Sequence, residues 1–245
     1  MRASLIVSAT LASALRCPIL RVGRPMLPLD AIGYGIPPAV FDQIVSEAED
    51  PSAVVIGLQH RDAAAGTLCV LDATRAEIDG GRVRAPAAAV GRYRRLDPAP
   101  PRNGALVAMD AAVAPLVDRP RSGDASREAR AHDAWLQRSL ARRRRRPRGC
   151  GAALREMEEE ESSRVLRFAE GNPLAALEAG ALRPPGLEAF AASRRELLSF
   201  ALARATDDLD VRDAAGLLAT ASTSVRLDYC ARRLAREGAA AAALG

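Results

Sequence analysis

The chain has 245 residues, 49% of them hydrophobic, and carries a formal net charge of +5 at pH 7. This length provides for one large domain or two small ones with a hydrophobic core. Aromatic residues make up only 3% of the chain and every basic residue is arginine. The composition therefore excludes an aromatic platform for stacking bases or sugars, a P-loop lysine, Schiff-base chemistry and Ser-Lys peptide hydrolysis.

Residues 1–25 are predicted to be a targeting segment. The first 29 residues contain no Asp or Glu, carry four arginines and include an apolar run from Ala3 to Leu15. Ala12-Ser13-Ala14 offers a cleavage site for secretion, while the scattered arginines equally suit entry into a plastid or mitochondrion. An N-terminal strand or helix of the domain itself, in a cytoplasmic protein, is the alternative. The apolar run is shorter than the ~20 residues that cross a bilayer.

Residues 26–118 are predicted to form a small β-barrel with one helix. Apolar runs at Ala53–Leu58 and Gly66–Leu71 are typical of buried strands. Asp79-Gly80-Gly81 predicts a hairpin, because glycine accepts the positive φ that such turns require. Pro37-Pro38 can begin a helix, and further strands are expected at residues 90–96 and 105–113 on either side of a proline-rich loop.

Residues 119–150 are predicted to be a flexible, Arg-rich linker or insertion. They are rich in Arg, Ser, Gly and Asp, and Trp135, Leu136 and Leu140 are the sizeable hydrophobic residues among them. The run Arg142–Arg146 has no interleaved aromatic residues, so it is interpreted as a solvated loop, with binding of RNA or an acidic partner as the alternative.

Residues 151–237 are predicted to be helical. Helical periodicity is expected at residues 152–169, 187–205 and 211–221, and in a last helix where Leu227, Cys230, Ala231 and Leu234 share one face. Asp210 is predicted to be the N-cap of the helix at 211–221, and Ser222 the N-cap of the last helix. The acidic run Glu158–Glu161 points around a helix rather than to one face, which predicts a solvated surface and no metal site. Residues 238–245 form an Ala-rich tail that is predicted to be frayed.

Cysteines and histidines indicate no catalytic or metal site. The four cysteines, at positions 17, 69, 150 and 230, lie far apart and none forms a C-x-x-C pair. His60 and His132 are the only histidines, and neither lies in a nucleophile-elbow or metal-ligand motif. We therefore expect reduced thiols, no metal, no cofactor and no enzymatic activity.

Several sequence segments match one known family in order and spacing. These segments are Met26–Leu29, interpreted as an opening strand; Ile36–Ala48, a first helix; Val54–Gly57 with Gly66–Leu68, a strand pair; Asp79–Arg82, a hairpin; Val90–Arg94, a G-x-R-[FY]-[RK] strand that lacks the residue between Gly and Arg; and Arg195–Ala203 with Leu217–Leu227, a helix set of the S-F-x-[LI]-A and L-L-x-x-x-[ST]-x-x-x-R-L kind. Together they resemble the Lon N-terminal domain, the substrate-recognition module of Lon proteases. The family's I-F-E-x-R-Y segment is replaced here by Phe41-Asp42-Gln43-Ile44.

The resemblance implies an α+β fold, with a six-stranded, PUA-like pseudo-barrel and one helix followed by a helical bundle. It also implies a non-catalytic module, without ATPase and protease domains, that binds unfolded polypeptide or a partner protein through apolar patches between barrel and bundle. An adaptor for RNA or an acidic partner, and an accessory subunit of a separate ATP-dependent protease, are the alternatives. Gly91, Tyr93, Ser199 and Phe200 match the family and are interpreted as packing residues, and no binding residue is predicted.

Overall fold

A computed structural model describes residues 14–28, 31–61, 63, 65–97, 104–118, 121–144, 187–190, 192–207 and 209–243. Within these ranges the strands are β1 (Leu15–Val22), β2 (Ala31–Ile36), β3 (Val54–His60), β4 (Ala65–Leu71), β5 (Glu77–Asp79), β6 (Arg82–Arg95) and β7 (Leu106–Pro115). The α-helices are α1 (Pro38–Ser46), α2 (Asp124–Arg144), α3 (Arg194–Arg204), α4 (Val211–Ala219) and α5 (Thr223–Ala243).

Five of the strands form a closed ring of hydrogen-bonded pairs. β1 pairs in parallel with β3, and antiparallel pairs join β3 to β4, β4 to β6, β6 to β7 and β7 back to β1. β2 and β5 both pair with the first half of β6, where Arg84 faces Gly35 of β2 and Glu77 of β5. Because a closed ladder satisfies its own backbone groups, the N-terminal half is a small barrel with two added strands.

The locally encoded elements lie where the sequence predicts them. β3 and β4 cover the two apolar runs. The β5–β6 hairpin turns at Gly80 and Gly81, whose φ angles are 56° and 75°. α1 begins after Pro37, as expected for a proline in the first turn, and buries Ile44. Each of these elements depends on residues close together in the chain, so its pattern is readable before any tertiary contact is known.

Alternate residues of the strands build two apolar clusters on opposite faces of the sheet. Leu20 and Cys69 belong to the cluster that α1 covers. Their chain neighbours Ile19 and Leu68 belong to the other cluster, which also contains Phe190. This division follows from the period of two residues along a strand. Both faces of the barrel are therefore apolar, and each packs against a different part of the chain.

The helical half has a separate core. α2 and α5 lie side by side in the same direction, since Arg127 pairs with Asp228 near their first turns and Arg138 pairs with Glu237 further along. Trp135 of α2 is buried in the cluster that these two helices build with α3 and α4. The molecule is thus an α+β protein with a β-rich half followed by a helical half, which confirms the predicted fold class. Seven strands are described, five of them in the closed ring, so the predicted count of six is not confirmed.

The predicted start of the barrel at residue 26 was also wrong. β1 lies between β3 and β7 in the ring, and its Ile19 and Leu20 are buried. Met26–Leu29 was interpreted as the opening strand, but residues 25–27 have no regular structure. The error arose because Arg16 and Arg21 gave β1 the charge pattern of a targeting segment. Cleavage after Ala14 would leave β1 whole, so targeting by the residues before it stays a prediction.

The segment predicted to be a flexible linker is a helix over most of its length. α2 spans 21 residues and buries Ala131, Trp135 and Arg138. These positions recur at helical spacing, but only Trp135 is large and apolar, so the periodicity was missed. The aliphatic stem of a buried arginine packs like an apolar side chain. Residues 145–150 of the predicted linker lie outside the described residues.

The predicted helix caps are confirmed, and the predicted frayed tail was wrong. The Asp210 carboxylate accepts a hydrogen bond from the backbone N–H of Asp213 at 2.6 Å, and α5 begins directly after Ser222. α5 continues to Ala243 and buries Ala241, so most of the Ala-rich tail is helical. The helix predicted at residues 152–169, and with it the acidic run, lies outside the described residues.

Gly91 tests the packing between barrel and helices. A Cβ at Gly91 would overlap the backbone oxygen of Phe190. Gly91→Ala should therefore destabilise the fold by about 1–3 kcal/mol, as overpacking against backbone does. Gly216 is the matched control, because a Cβ there meets nothing within 4 Å on an exposed helix face. Gly216→Ala should leave stability unchanged or raise it by up to about 1 kcal/mol. Urea unfolding of both variants measures the difference; equal midpoints would contradict the packing.

Candidate functional site

The two histidines do not form a site together. His60 ends β3 in the barrel, where burial and the neighbouring charge of Arg61 lower its pKa. His132 lies on α2 in the helical half and stacks on Trp135, with 5.6 Å between ring centroids. The two side chains therefore lie in different halves of the fold. Their positions give no arrangement for acid–base chemistry between them.

The described cysteines are buried thiols. Cys17, Cys69 and Cys230 are free, and burial raises the pKa of Cys17 and of Cys230 to about 12. Thiols with raised pKa values are poor nucleophiles. Within the described ranges, no three His, Cys, Asp or Glu side chains are placed to hold a metal ion. No helix in those ranges has the length and hydrophobicity needed to cross a membrane.

The most organised cluster of charged side chains lies between barrel and helices. It consists of Arg92, Asp118, Glu196 and Arg226, with the ring of Phe200 beside them, and we call these five residues the buried joint. Each of the five is buried. Arg92 comes from β6, Asp118 follows β7, and the other three come from α3 and α5. The two positive and two negative charges cancel.

Arg92 connects the barrel to two helices. Its Nε donates to Glu196 Oε1 at 2.8 Å, and its Nη2 donates to Asp118 Oδ1 at 2.6 Å. Its Nη1 donates to the carbonyl oxygens of Leu218 and Thr220 at 2.8 and 2.9 Å. Those carbonyls lie at the end of α4, where a helix leaves acceptors without internal partners and carries partial negative charge. One guanidinium therefore satisfies a helix end and two carboxylates.

Arg226 completes the joint from the helical side. Its Nε donates to Ser199 Oγ at 2.9 Å, and its Nη1 donates to the Thr220 carbonyl at 2.6 Å. Its Nη2 donates to Asp118 Oδ2. Asp118 thus accepts from both arginines. Because it lies in the segment that leads from β7 towards α2, it ties that connection to both halves.

The ring of Phe200, a residue of the helical core, packs against both guanidinium groups. The Cζ atoms of Arg92 and Arg226 lie 5.3 and 4.4 Å from its ring centroid, a cation–π distance. Burial lowers the pKa of Arg226, and the Arg92 charge lowers it further, whereas Asp118 and Glu196 oppose this shift. Arginine remains charged in proteins. The carboxylates are therefore required to balance charge that cannot be removed by deprotonation.

Local sequence features position these side chains. Ser193 caps α3 by accepting from the backbone N–H of Glu196 at 3.2 Å, which places Glu196 in the first turn of the helix. In β6 the pairing with β4 shifts by one residue near Val90, since Leu68 faces Gly91 whereas Cys69 faces Ala89. Such a bulge redirects the side chains that follow it, here Arg92.

The packing residues predicted from the sequence lie in or beside the joint. Phe200 is part of it, and Ser199 donates its hydroxyl to the Glu196 carbonyl while accepting from Arg226. Tyr93 is buried and Gly91 contacts Phe190. The charged members of the joint were not predicted as a site. Arg92, Glu196 and Arg226 lie within the motif segments that resemble the family. Asp118 lies outside those segments, and no sequence pattern indicated it.

Two exposed apolar residues are next to joint residues in the chain. Val117 and Val225 are exposed and are chain neighbours of Asp118 and Arg226. Further exposed apolar side chains lie elsewhere, at Ile78, Leu96, Leu136, Leu140 and Val211. The joint itself is filled by side chains. The joint is therefore a packed interface at its centre, with Val117 and Val225 exposed beside it.

No family model and no curated protein matches this sequence. Solved structures do match its fold. The N-terminal domain of Lon protease from Mycobacterium avium complex aligns with a TM-score of 0.52 at 14% identity, covering 90% of this chain and 98% of that chain. The chain has the Lon N-terminal domain fold. A Lon N-terminal domain protein from Xanthomonas campestris aligns with a TM-score of 0.47 at 14% identity, covering 88% of this chain and 96% of that chain.

The Lon N-terminal fold thus extends over both halves of the chain. The match covers 90% of this chain, which is more than either half alone contributes. The sequence resemblance had identified this fold from short motifs. At 14% identity the agreement concerns the fold alone.

Disrupting the buried joint should lower the free energy of unfolding far more than disrupting an ion pair on the surface. Arg92→Ala leaves Asp118 and Glu196 buried with too little positive charge, so we expect a loss of about 3–5 kcal/mol in the free energy of unfolding. Arg16 is the control, because its pair with Asp110 is 56% and 64% exposed. Arg16→Ala should leave the unfolding midpoint nearly unchanged, because exposed ion pairs contribute little to stability. Urea denaturation gives both values, and a small effect at Arg92 would show that the joint does not hold the halves together.

Proposed function

We propose that this chain is a non-catalytic module that binds polypeptide, either an unfolded segment or a partner protein. The observation that carries the proposal is the fold match, which spans 98% of the N-terminal domain of a Lon protease. The sequence motifs point the same way, since the family they resemble supplies substrate recognition. A recognition role is also consistent with a structure whose most organised charged cluster is buried and structural.

Exposed apolar side chains provide the binding surface in this proposal. Unfolded polypeptides present hydrophobic side chains and unpaired backbone, so apolar patches on a rigid scaffold are suited to capture them. Val117 and Val225 at the rim of the joint are held by the residues that build it. The joint would then fix the spacing of these contacts without touching the client.

The Arg-rich segment supports the adaptor alternative less well than the sequence suggested. Arg142 belongs to α2 and forms an ion pair with Asp207. An arginine engaged with a carboxylate must give up that pair to bind phosphate. Residues 145–148 lie outside the described residues, so binding of RNA or of an acidic partner through them stays a prediction, as does the role of accessory subunit.

Salt dependence distinguishes apolar capture from nucleic-acid binding. We expect affinity for a permanently unfolded probe, reduced and carboxymethylated α-lactalbumin, to change less than about threefold between about 50 and 200 mM NaCl, whereas six or more phosphate contacts would cost about a thousandfold or more. Fluorescence anisotropy of the labelled probe measures both titrations, with a single-stranded RNA of similar length in parallel. Native α-lactalbumin is the control for unfolded character. Steeply salt-sensitive binding to RNA alone would contradict the proposal.

The purified chain should neither hydrolyse ATP nor cleave casein. This follows from the lack of lysine for a P-loop or a Ser-Lys dyad. Phosphate release and peptide release are measured on the full chain. Turnover that persists through purification and is abolished by a point change in this chain would show that the module is an enzyme.

A further inference from the structure

A groove lies on the surface between the C-terminal halves of α2 and α5. Its volume is about 370 Å³, and its walls are lined by Ala134, Gln137 and Ala141 from α2 and by Ala235, Ala239 and Ala242 from α5. The span from Ala134 to Ala141 is two helical turns, or about 10 Å. Small side chains on both walls allow another backbone to approach closely. The groove is therefore about two helical turns long, with small side chains on both walls.

The groove is apolar and open. Leu140 lines it and is 47% exposed, and Leu234 forms a buried part of its lining. The neighbouring Leu136 of α2 is exposed as well. Burying an exposed leucine side chain contributes about 1.5–3 kcal/mol. Covering Leu140 with a bound ligand therefore contributes favourably to the free energy of binding.

The rim of the groove on α5 is positively charged. Arg232 and Arg236 lie three residues before Ala235 and Ala239, so helical spacing places them along the same wall. Both are exposed, and no ion pair of either is found among the described residues. On α2, Asp133 contributes one negative charge at the start of the groove. The arginine run of the sequence begins at Arg142, one residue after the lining residue Ala141.

Resting on the proposed polypeptide binding, we propose that this α2–α5 groove binds an amphipathic helix of a partner protein whose polar flanks are acidic. Such a helix would place apolar residues at positions i, i+3, i+4 and i+7 over Leu140 and the alanine walls. Its carboxylates would then face Arg232 and Arg236. A second copy of this chain is a poor occupant, because it would bring two positively charged rims together.

The test uses three labelled peptides of about 18 residues, long enough to form an amphipathic helix in a groove. One has a leucine face with glutamate flanks, one has the same face with lysine flanks, and one is the acidic peptide with a central proline. Fluorescence anisotropy with the full chain measures affinity. The acidic helix should bind at least about tenfold more tightly than the other two, since both charge and helical form contribute.

Two variants locate the binding. Ala239→Arg adds a bulky side chain to the groove wall without adding negative charge, and should weaken the acidic helix by about 10- to 100-fold, as loss of a central contact does. The double variant Arg232→Glu with Arg236→Glu should reverse the preference in favour of the lysine-flanked peptide. Ile78→Arg is the control, because Ile78 is 79% exposed on β5 in the barrel. Circular dichroism confirms that each variant is folded.

The outcomes separate this inference from the proposed function. If the unfolded probe binds and the acidic helix does not, the groove inference is wrong and the proposed function stands. If neither binds, both are wrong. If light scattering shows that the chain is a dimer and that Ala239→Arg is a monomer, the groove binds a second copy of this chain and the inference is wrong. Binding of the acidic helix only after removal of residues 151–186 would assign the groove to those residues of this chain, and would likewise overturn the inference.

Discussion

Two buried arginines and two buried carboxylates hold the barrel against the helices, and the remaining architecture depends on their balance. Arg92 and Arg226 share Asp118, and Arg92 also pairs with Glu196. Removing charges from water is costly, and the cost is recovered only where geometry and hydrogen bonding are nearly complete. Here the guanidinium nitrogens reach carboxylates, a hydroxyl and helix-end carbonyls. The joint therefore fixes one relative position of the two halves.

Arginine suits this joint because its donors are arranged in a rigid plane. Arg92 reaches four acceptors from three different segments: Glu196 in α3, the end of α4 and the segment after β7. A lysine ammonium has three donors at a single point and could not span these directions. The joint also satisfies carbonyls that α4 leaves open at its end. Stability and architecture are thus supplied by the same hydrogen bonds.

Local patterns in the sequence predicted the elements that depend on local chemistry. The apolar runs of β3 and β4, the Asp79-Gly80-Gly81 turn and the Asp210 cap were all recognisable, because each acts through neighbouring residues. β1 was missed because Arg16 and Arg21 give it the charge pattern of a targeting segment, and Asp110, the partner of Arg16, lies far away in the sequence. α2 was missed since its buried stripe combines alanine, tryptophan and an arginine stem.

The buried joint could not be predicted, because its members are far apart in the chain. Arg92 and Asp118 are 26 residues apart, and Asp118 and Arg226 are 108 apart. A charged residue in a strand or helix is ordinarily solvated, so its sequence gives no indication of burial. The family resemblance contained Arg92, Glu196 and Arg226 within its motifs. It identified the fold, while their pairing became visible only in three dimensions.

The order of the joint's members along the chain has a consequence for biosynthesis. All seven described strands have been made by Pro115, and Asp118 follows shortly afterwards. Glu196, however, lies 104 residues after Arg92, and the Thr220 carbonyl lies 128 residues after it. Until those acceptors and Phe200 emerge from the ribosome, Arg92 has no protected environment and must stay hydrated. Contacts between such distant residues form late and slowly. The buried joint can therefore form only after the first turn of α5, which carries Arg226, has been made.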